Sequence, residues 1–241
     1  MRTPRVYTPQ ALSPSANISL EEGASHHLLK VLRMAVGREV TLFNGEGNEY
    51  LATITQATKK VANLTLSEAQ SISRESPLDT ELAIAVSRGE RFDWVIQKAT
   101  ELGVSRIIPL FSERTEVRLS AERLQKREQQ WQKIIIAACE QCQRNRLPIL
   151  APAMNVENYC QYSNAETRLV LHHRSTTPLA AIATPRSVAL LIGPEGGLSD
   201  PEITLAEAAG FQGLALGPRV LRTETAPLAA LAILQAYWGD F

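Results

Sequence analysis

Two periodicities divide the chain. Up to residue 72 apolar and polar positions alternate over short runs, the period of a half-buried strand. Residues 38–44 and 49–55 read as two strands around Gly45-Glu46-Gly47-Asn48, a hairpin signal, and 61–66 as another with Ala62, Leu64 and Leu66 on one face. Residues 25–33 make one short helix among them. The polar, proline-containing stretch 71–79 breaks the pattern and reads as a linker. From Glu81 strand and helix alternate: strands at 82–86, 107–111, 168–171 and 188–192, and helices at 91–102, 120 to about 144, and 225 to about 238. A short helical stretch is expected over 178–183. The first long helix puts Phe92, Val95, Ile96, Ala99 and Leu102 on one side; the second carries a stripe of Leu124, Trp131, Ile135, Ala138 and Cys142. Such alternation predicts an α/β unit, a parallel sheet covered on both faces.

Two turns near the C-terminus stand out. Val188 to Ile192 is an uninterrupted apolar run that ends in Gly193-Pro194-Glu195-Gly196-Gly197, followed by Ser199 and, three residues on, Glu202 as a capping box, with Pro201 in the first helical turn. About twenty residues later Gly213-Leu-Ala-Leu-Gly217-Pro-Arg219-Val-Leu-Arg222-Thr-Glu224-Thr225 repeats the layout of short strand, Gly-Pro turn and helix start. Open α/β sheets bind ligands at such turns. Neither turn is a dinucleotide fingerprint, and no P-loop occurs.

Composition narrows the choice. Twenty-five Lys and Arg balance twenty-five Asp and Glu in 241 residues, which argues against a protein that coats nucleic acid indiscriminately. Residues 73–150 hold thirteen basic against eleven acidic side chains and 151–241 only five against eight, so RNA contact is expected from the first two-thirds. No apolar run is long enough to cross a membrane and the N-terminus is not a signal peptide, which predicts a cytoplasmic protein. The three cysteines are too few for a disulfide framework, and Cys139-x-x-Cys142, inside an apolar helical run, reads as core; no metal is expected.

The stretches GPEGGLSDPEI and LGPRVLRTETA resemble the SPOUT (trefoil-knotted) methyltransferases and, among them, the bacterial 16S ribosomal RNA uracil-N3 methyltransferases. The likeness extends through SRGERFDWVIQKATELGV, PLFSERTEV, WQKIIIAACEQCQRNRLP and HHLLKVLRMAVG, nearly the whole chain. It implies a PUA-like, RNA-binding β-barrel over 1–72 and a knotted, SPOUT-like parallel-sheet domain over 73–241. It further implies S-adenosylmethionine as cofactor, a homodimer, and methylation of N3 of a uridine in the decoding region of 16S rRNA on the 30S subunit. Threading of a loop comes from the resemblance alone.

For the cofactor the resemblance and the turn chemistry together select Leu171 and His172 of the loop that also holds His173, then Leu191, Ile192, Gly193, Pro194, Gly196 and Gly197, and Leu216, Gly217, Val220, Leu221 and Thr225 of the second turn. N3 methylation requires removal of a weakly acidic imide proton and stabilisation of charge on O2 and O4. Arg222 suits the second task, with Glu224 as its orienter or as base and Glu195 as the competing base; capping for Glu224 and a structural ion pair for Arg222 are the plainer readings. Arg2, Arg5, His26, Lys30 and Arg33, and Gln141, Arg144 and Arg146 at the end of the long helix, are candidate RNA contacts. The competing readings are a non-catalytic ribosome assembly factor on the same scaffold and a knotted methyltransferase acting on tRNA or a ribose 2′-hydroxyl.

Overall fold

The N-terminal alternation becomes a five-stranded sheet. In a computed structural model that describes residues 3–172, 179 and 182–241, β1 (Arg5–Tyr7), β2 (Asn17–Ser19), β3 (Glu39–Phe43), β4 (Glu49–Ala57) and β5 (Ala62–Gln70) lie in the order β1-β3-β4-β5-β2. β3 and β4 form the expected hairpin, Phe43 facing Glu49, while β1 runs parallel to β3. Val6, Ile18, Val40, Leu42, Ala52, Ile54, Leu64 and Leu66 close one apolar core. The single helix expected over 25–33 is instead α1 (Glu22–His26) running into a π-helical turn, His27–Val31. The Ser25 hydroxyl fixes its entry, donating to Leu20 O at 3.0 Å and accepting from Ala62 N at 3.1 Å, and Arg33, at φ 52°, ends it.

The first unit runs past the boundary expected at residue 72. It comprises Met1–Glu75 together with Cys139–Leu147. The reason is polar: Arg74 donates to Glu49 and to Gln143 O, Arg144 pairs with Glu75, and Asn145 donates to Ile72 O.

The second unit, Ser76–Ala138 with Pro148–Phe241, is the α/β domain. Its strands are β6 (Asp79–Ala85), β7 (Arg106–Phe111), β8 (Ile149–Leu150), β9 (Met154–Asn155), β10 (Thr167–Leu171), β11 (Ser187–Ile192) and β12 (Gln212–Leu214). The sheet order is β12-β10-β11-β6-β7-β8, with β9 also on β7, and every pairing is parallel. The helices are α2 (Arg91–Glu101), α3 (Ala121–Cys142), α4 (Val156–Tyr162), α5 (Asp200–Ala208) and α6 (Thr225–Trp238). Ala83, Ile108, Leu110, Val170, Ala189 and Leu191 bury one sheet face with Val156, Tyr159, Ala206 and Phe211. Leu82, Ile84, Ile107 and Leu190, on the alternate positions, are equally buried, so both faces are covered. The helical stretch expected over 178–183 falls largely outside the described residues.

α6 buries one side only: Pro227, Ala230, Leu231, Leu234 and Gln235. Gln235 is a polar residue in that core, accepting from Ser76 Oγ at 2.7 Å and donating to Leu102 O at 3.0 Å. A Cβ on Gly103, at φ +85°, would lie 2.9 Å from its Nε2. Among the described residues no helix is long and apolar enough to cross a membrane.

Candidate active site

Sheet order decides what the two turns can do. β10 lies between β11 and β12 and pairs with both in parallel, Val170 opposite Leu191 and Leu171 opposite Leu214. The segments that follow these strands therefore leave the sheet side by side at its carboxyl edge, where open α/β sheets bind ligands. Leu171 and His172, the 193–198 turn and the 215–224 loop all lie at that edge; His173 lies outside the described residues.

The first turn is tightly built. Gly197 N donates to Pro194 O at 2.8 Å, and Gly197 sits at φ +69°, a conformation costly for residues with a Cβ. A Cβ on Gly193 would lie 2.7 Å from Leu198 N, so only glycine allows the strand to fold back here. The capping box is formed as expected: Ser199 Oγ accepts from Glu202 N, and the Glu202 carboxylate accepts from Ser199 N at 2.8 Å. Its other oxygen accepts from Glu113 N at 2.8 Å, which ties the turn to the segment after β7. Arg114, for which the sequence suggested no role, donates to Gly196 O at 2.9 Å and Leu198 O at 3.3 Å and pins the turn from the same side.

The second turn is open. Gly217 takes φ +84°, Val220 is 91% exposed, and Gly217, Arg219, Arg222 and Thr225 are exposed, with Leu216, Leu221 and Glu224 half-buried. Arg222 O accepts from Thr225 N and Ala226 N, so the backbone at Arg222 starts α6 while its guanidinium has no ion pair among the described residues. Glu224 stands at the helix N-cap but makes no side-chain cap hydrogen bond. The capping role considered for it is not taken up. Glu195, by contrast, is held 3.1 Å from Arg91 Nη1.

Five of the expected site residues need correction. The Leu191 side chain is fully buried in the sheet core and cannot line a pocket, and Ile192 and Pro194 are buried too. Arg5 and Arg144 were expected to contact RNA, but each has a side chain only 6% exposed. Arg5 pairs with Glu49 at 2.6 Å and Arg144 with Glu75 at 2.5 Å. Burial without a counterion is too costly for a guanidinium, and the carboxylates supply it. His26, Lys30, Arg33, Gln141 and Arg146 are exposed, as a surface that meets RNA requires; Arg2 lies outside the described residues. Arg146 is held in place: its backbone bridges Glu46, Asn145 O accepts from Gly47 N at 3.1 Å, and a Cβ on Gly47 would lie 3.1 Å from its Nη2.

A parallel-sheet domain with glycine turns converging at one edge, carried with a small β unit, has the architecture of an RNA methyltransferase. Residues 74–235 match the model of the RNA methyltransferase domain and residues 20–67 that of the RNA methyltransferase PUA domain. Over the full length of both chains the structure is similar to a methyltransferase of Legionella pneumophila in complex with its bound cofactor S-adenosylmethionine, at 43% identity and a TM-score of 0.97. It is also similar to the ribosomal RNA small subunit methyltransferase E of Neisseria gonorrhoeae bound to S-adenosylmethionine, at 38% identity, a TM-score of 0.94 and complete coverage of both. The ribosomal RNA small subunit methyltransferase E of Buchnera aphidicola is 33% identical over 242 residues, covering 100% of this chain and 96% of its own. The chain belongs to the ribosomal RNA small subunit methyltransferase E family.

Proposed function

We propose that the protein transfers a methyl group from S-adenosylmethionine to N3 of a uridine in 16S rRNA, acting on the 30S subunit as a cytoplasmic homodimer. The observation that carries this reading is the convergence of the segments after β10, β11 and β12 at one sheet edge.

The residues there fit the cofactor. Gly196 and Gly197 leave the turn surface without side chains, and a Cβ on Gly197 would meet nothing within 4 Å, so a ligand has access to backbone. Leu216, Val220 and Leu221 provide apolar surface that the chain itself leaves uncovered, suited to a purine ring. Leu171, His172, Gly193, Gly217 and Thr225 complete the site through their place in the three segments. When bound, the cofactor supplies an electrophilic methyl on a sulfonium.

Arg222 takes the charge that spreads onto O2 and O4 as the N3 proton leaves, a task for a permanently charged planar donor. Glu224 takes the proton: neither an ion pair nor a cap engages its carboxylate among the described residues. His26, Lys30, Arg33, Gln141 and Arg146 offer exposed groups for rRNA backbone and base edges.

The dimer reading rests on α6, which leaves Ala229, Ala232 and Ile233 half-buried and Ala236 exposed opposite its buried side. So apolar a helix face is suited to a second subunit.

The test is methyl transfer from labelled S-adenosylmethionine to 30S subunits from cells lacking the modification, with naked 16S rRNA and bulk tRNA alongside. Label on 30S that digests to 3-methyluridine supports the proposal. Label on tRNA alone, or label lost with the sugar on digestion to free bases, would replace the substrate by tRNA or a ribose hydroxyl. Rejection of both cofactor and methyl transfer would leave an assembly factor.

A further inference from the structure

A second group of charged side chains reaches the carboxyl edge of the sheet beside the first glycine turn. β6 and β11 are neighbours, with Ile84 opposite Ile192, so the loop after β6 and the turn after β11 emerge next to each other. They border a cleft of about 480 Å³ lined by Arg88, Gly89, Glu90, Arg91, Glu116 and Glu195. That volume lies within the range of small-ligand sites. Gly89 takes φ +69° at its rim, and a Cβ there would meet nothing within 4 Å, so the loop turns sharply without filling the space.

The two arginines are held in a way that suits exchange. Arg88 Nε lies 3.1 Å from Glu116 Oε2, with the side chains 69% and 61% exposed. Arg91 Nη1 lies 3.1 Å from Glu195 Oε1, at 46% and 34%. Each pair is exposed and rests on one short contact, and exposed pairs of this kind contribute little to folding. A phosphodiester offers each guanidinium two oxygens in the planar geometry that its fork matches. The segments on either side are fixed independently, the glycine turn by Arg114 on the carbonyls of Gly196 and Leu198 and the Gly89 loop by Arg127 on Gly89 O at 3.4 Å.

We propose that this cleft is a phosphate-binding site for the backbone of the RNA substrate, in which Arg88 and Arg91 exchange Glu116 and Glu195 for a phosphodiester adjoining the target nucleotide. The ligand class rests on the rRNA methyltransferase function proposed above. The position follows from Glu195, which belongs both to the cleft and to the turn assigned to the cofactor. The two carboxylates then act as competitors of the phosphate and hold the arginines extended until RNA arrives.

The pairs make opposite predictions for their two halves. With full-length protein and 16S rRNA titrated at several salt concentrations, Arg88→Ala and Arg91→Ala are expected to weaken binding about tenfold each. Each should lower the slope of log affinity against log salt by about one, the signature of a lost phosphate contact. Arg88→Lys and Arg91→Lys, which keep the charge and lose the fork, should fall between. Glu116→Gln, which removes a competitor, should tighten RNA binding. Calorimetry with S-adenosylmethionine should give the same affinity for wild type, Arg88→Ala and Glu116→Gln.

Were the pairs only structural, Arg88→Ala and Glu116→Gln would shift RNA affinity in the same direction, and that result overturns the proposal. So does unchanged RNA affinity in both alanine variants while the wild type methylates 30S subunits, which leaves the enzymatic function standing. A wild type that binds no rRNA would remove the function and this site together.

Discussion

Arg5 reaches 44 residues along the chain to Glu49, its Nη1 lying 2.6 Å from Oε2 with both side chains almost fully buried. Arg74 donates to the same oxygen at 3.0 Å, and Arg5 also donates to Asn145 Oδ1 at 2.6 Å. Burial alone would raise the Glu49 carboxyl, but hydrogen bonds from Arg5, Arg74 and Asn145 outweigh it and hold the group below its ordinary value. A carboxyl lowered on folding stabilises the protein above its unfolded pKa, and that stability is lost as pH falls through the folded one. Glu49→Gln, which leaves buried guanidinium without its counterion, should therefore cost about 3 kcal/mol near pH 7.5. The gap from wild type should narrow below about pH 4, where the unfolded carboxyl takes up its proton, and close only at lower pH, where the folded carboxyl is protonated as well. Urea melts at both pH values would show it; a gap independent of pH would refute the linkage.

Glu140 carries the opposite sign in the same unit. Burial raises its carboxyl despite the hydrogen bond it accepts from Tyr7 N at 2.9 Å. Glutamine keeps that acceptor and removes the charge, so Glu140→Gln should gain stability relative to wild type as pH rises through the folded pKa. Thermal melts across pH 4–8 follow the difference.

Gly47 and Arg146 form a positioned contact rather than a loose surface residue. Gly47→Ala forces a Cβ to within 3.3 Å of three guanidinium atoms at φ +107° and should cost about 1 kcal/mol. Arg146→Ala, an exposed change, should alter stability by less than about 0.5 kcal/mol. Both should weaken rRNA binding while leaving cofactor affinity unchanged. RNA affinity untouched by either variant would remove this residue from the interface.

Arg222→Ala should lower kcat about 10²- to 10³-fold, and Glu224→Gln by about 10²-fold or more, with cofactor affinity by calorimetry within about twofold of wild type. Near-wild-type kcat in Glu224→Gln, with a loss of that size in Glu195→Gln instead, would transfer the proton to the other turn.

The thiols should be inert. Hydrogen bonding to Cys142 and burial push Cys139 far above the usual thiol range, and burial raises Cys160 to about 11. Disulfide-exchange reagent at pH 8 should label neither residue in the native protein and both after unfolding, since the thiolate is the reactive form. Fast native labelling of Cys139 would contradict the core placement.

Much of the second unit was legible because its elements carry strong local signals. β11 is an uninterrupted apolar run closed by glycines, α5 announces itself through Ser199 and Glu202, and α2 has a clear helical stripe. β1, β2, β8 and β9 have two or three residues each, too few for any periodicity to show, and exist through pairing with longer strands. α4 was within reach and was missed: Asn155 caps it, accepting from Asn158 N, and Val156, Tyr159 and Cys160 follow at helical spacing. The charged residues were the harder part. Nothing local distinguishes Arg5, committed to a carboxylate 44 positions away, from Lys30, which is exposed. Only the fold reveals which cations have already found partners. A loop between the strand expected over 82–86 and the helix over 91–102 follows from the two patterns, but its neighbourhood with Glu195, 104 residues beyond Arg91, is a product of sheet order.

The make-up of the first unit sets a timetable for synthesis. Its last segment, Cys139–Leu147, follows a stretch of 63 residues, Ser76–Ala138, that belongs to the other unit. When Glu75 has been made it still lacks Arg144, and Arg5 still lacks Asn145. A nascent chain therefore cannot finish its N-terminal unit first and move on. It can close the apolar core, whose residues all come no later than Leu66, but the contacts of Arg5 and Glu75 with the last segment wait until residue 147 has cleared the exit tunnel. A fragment cut at Glu75 would be arrested at the same stage.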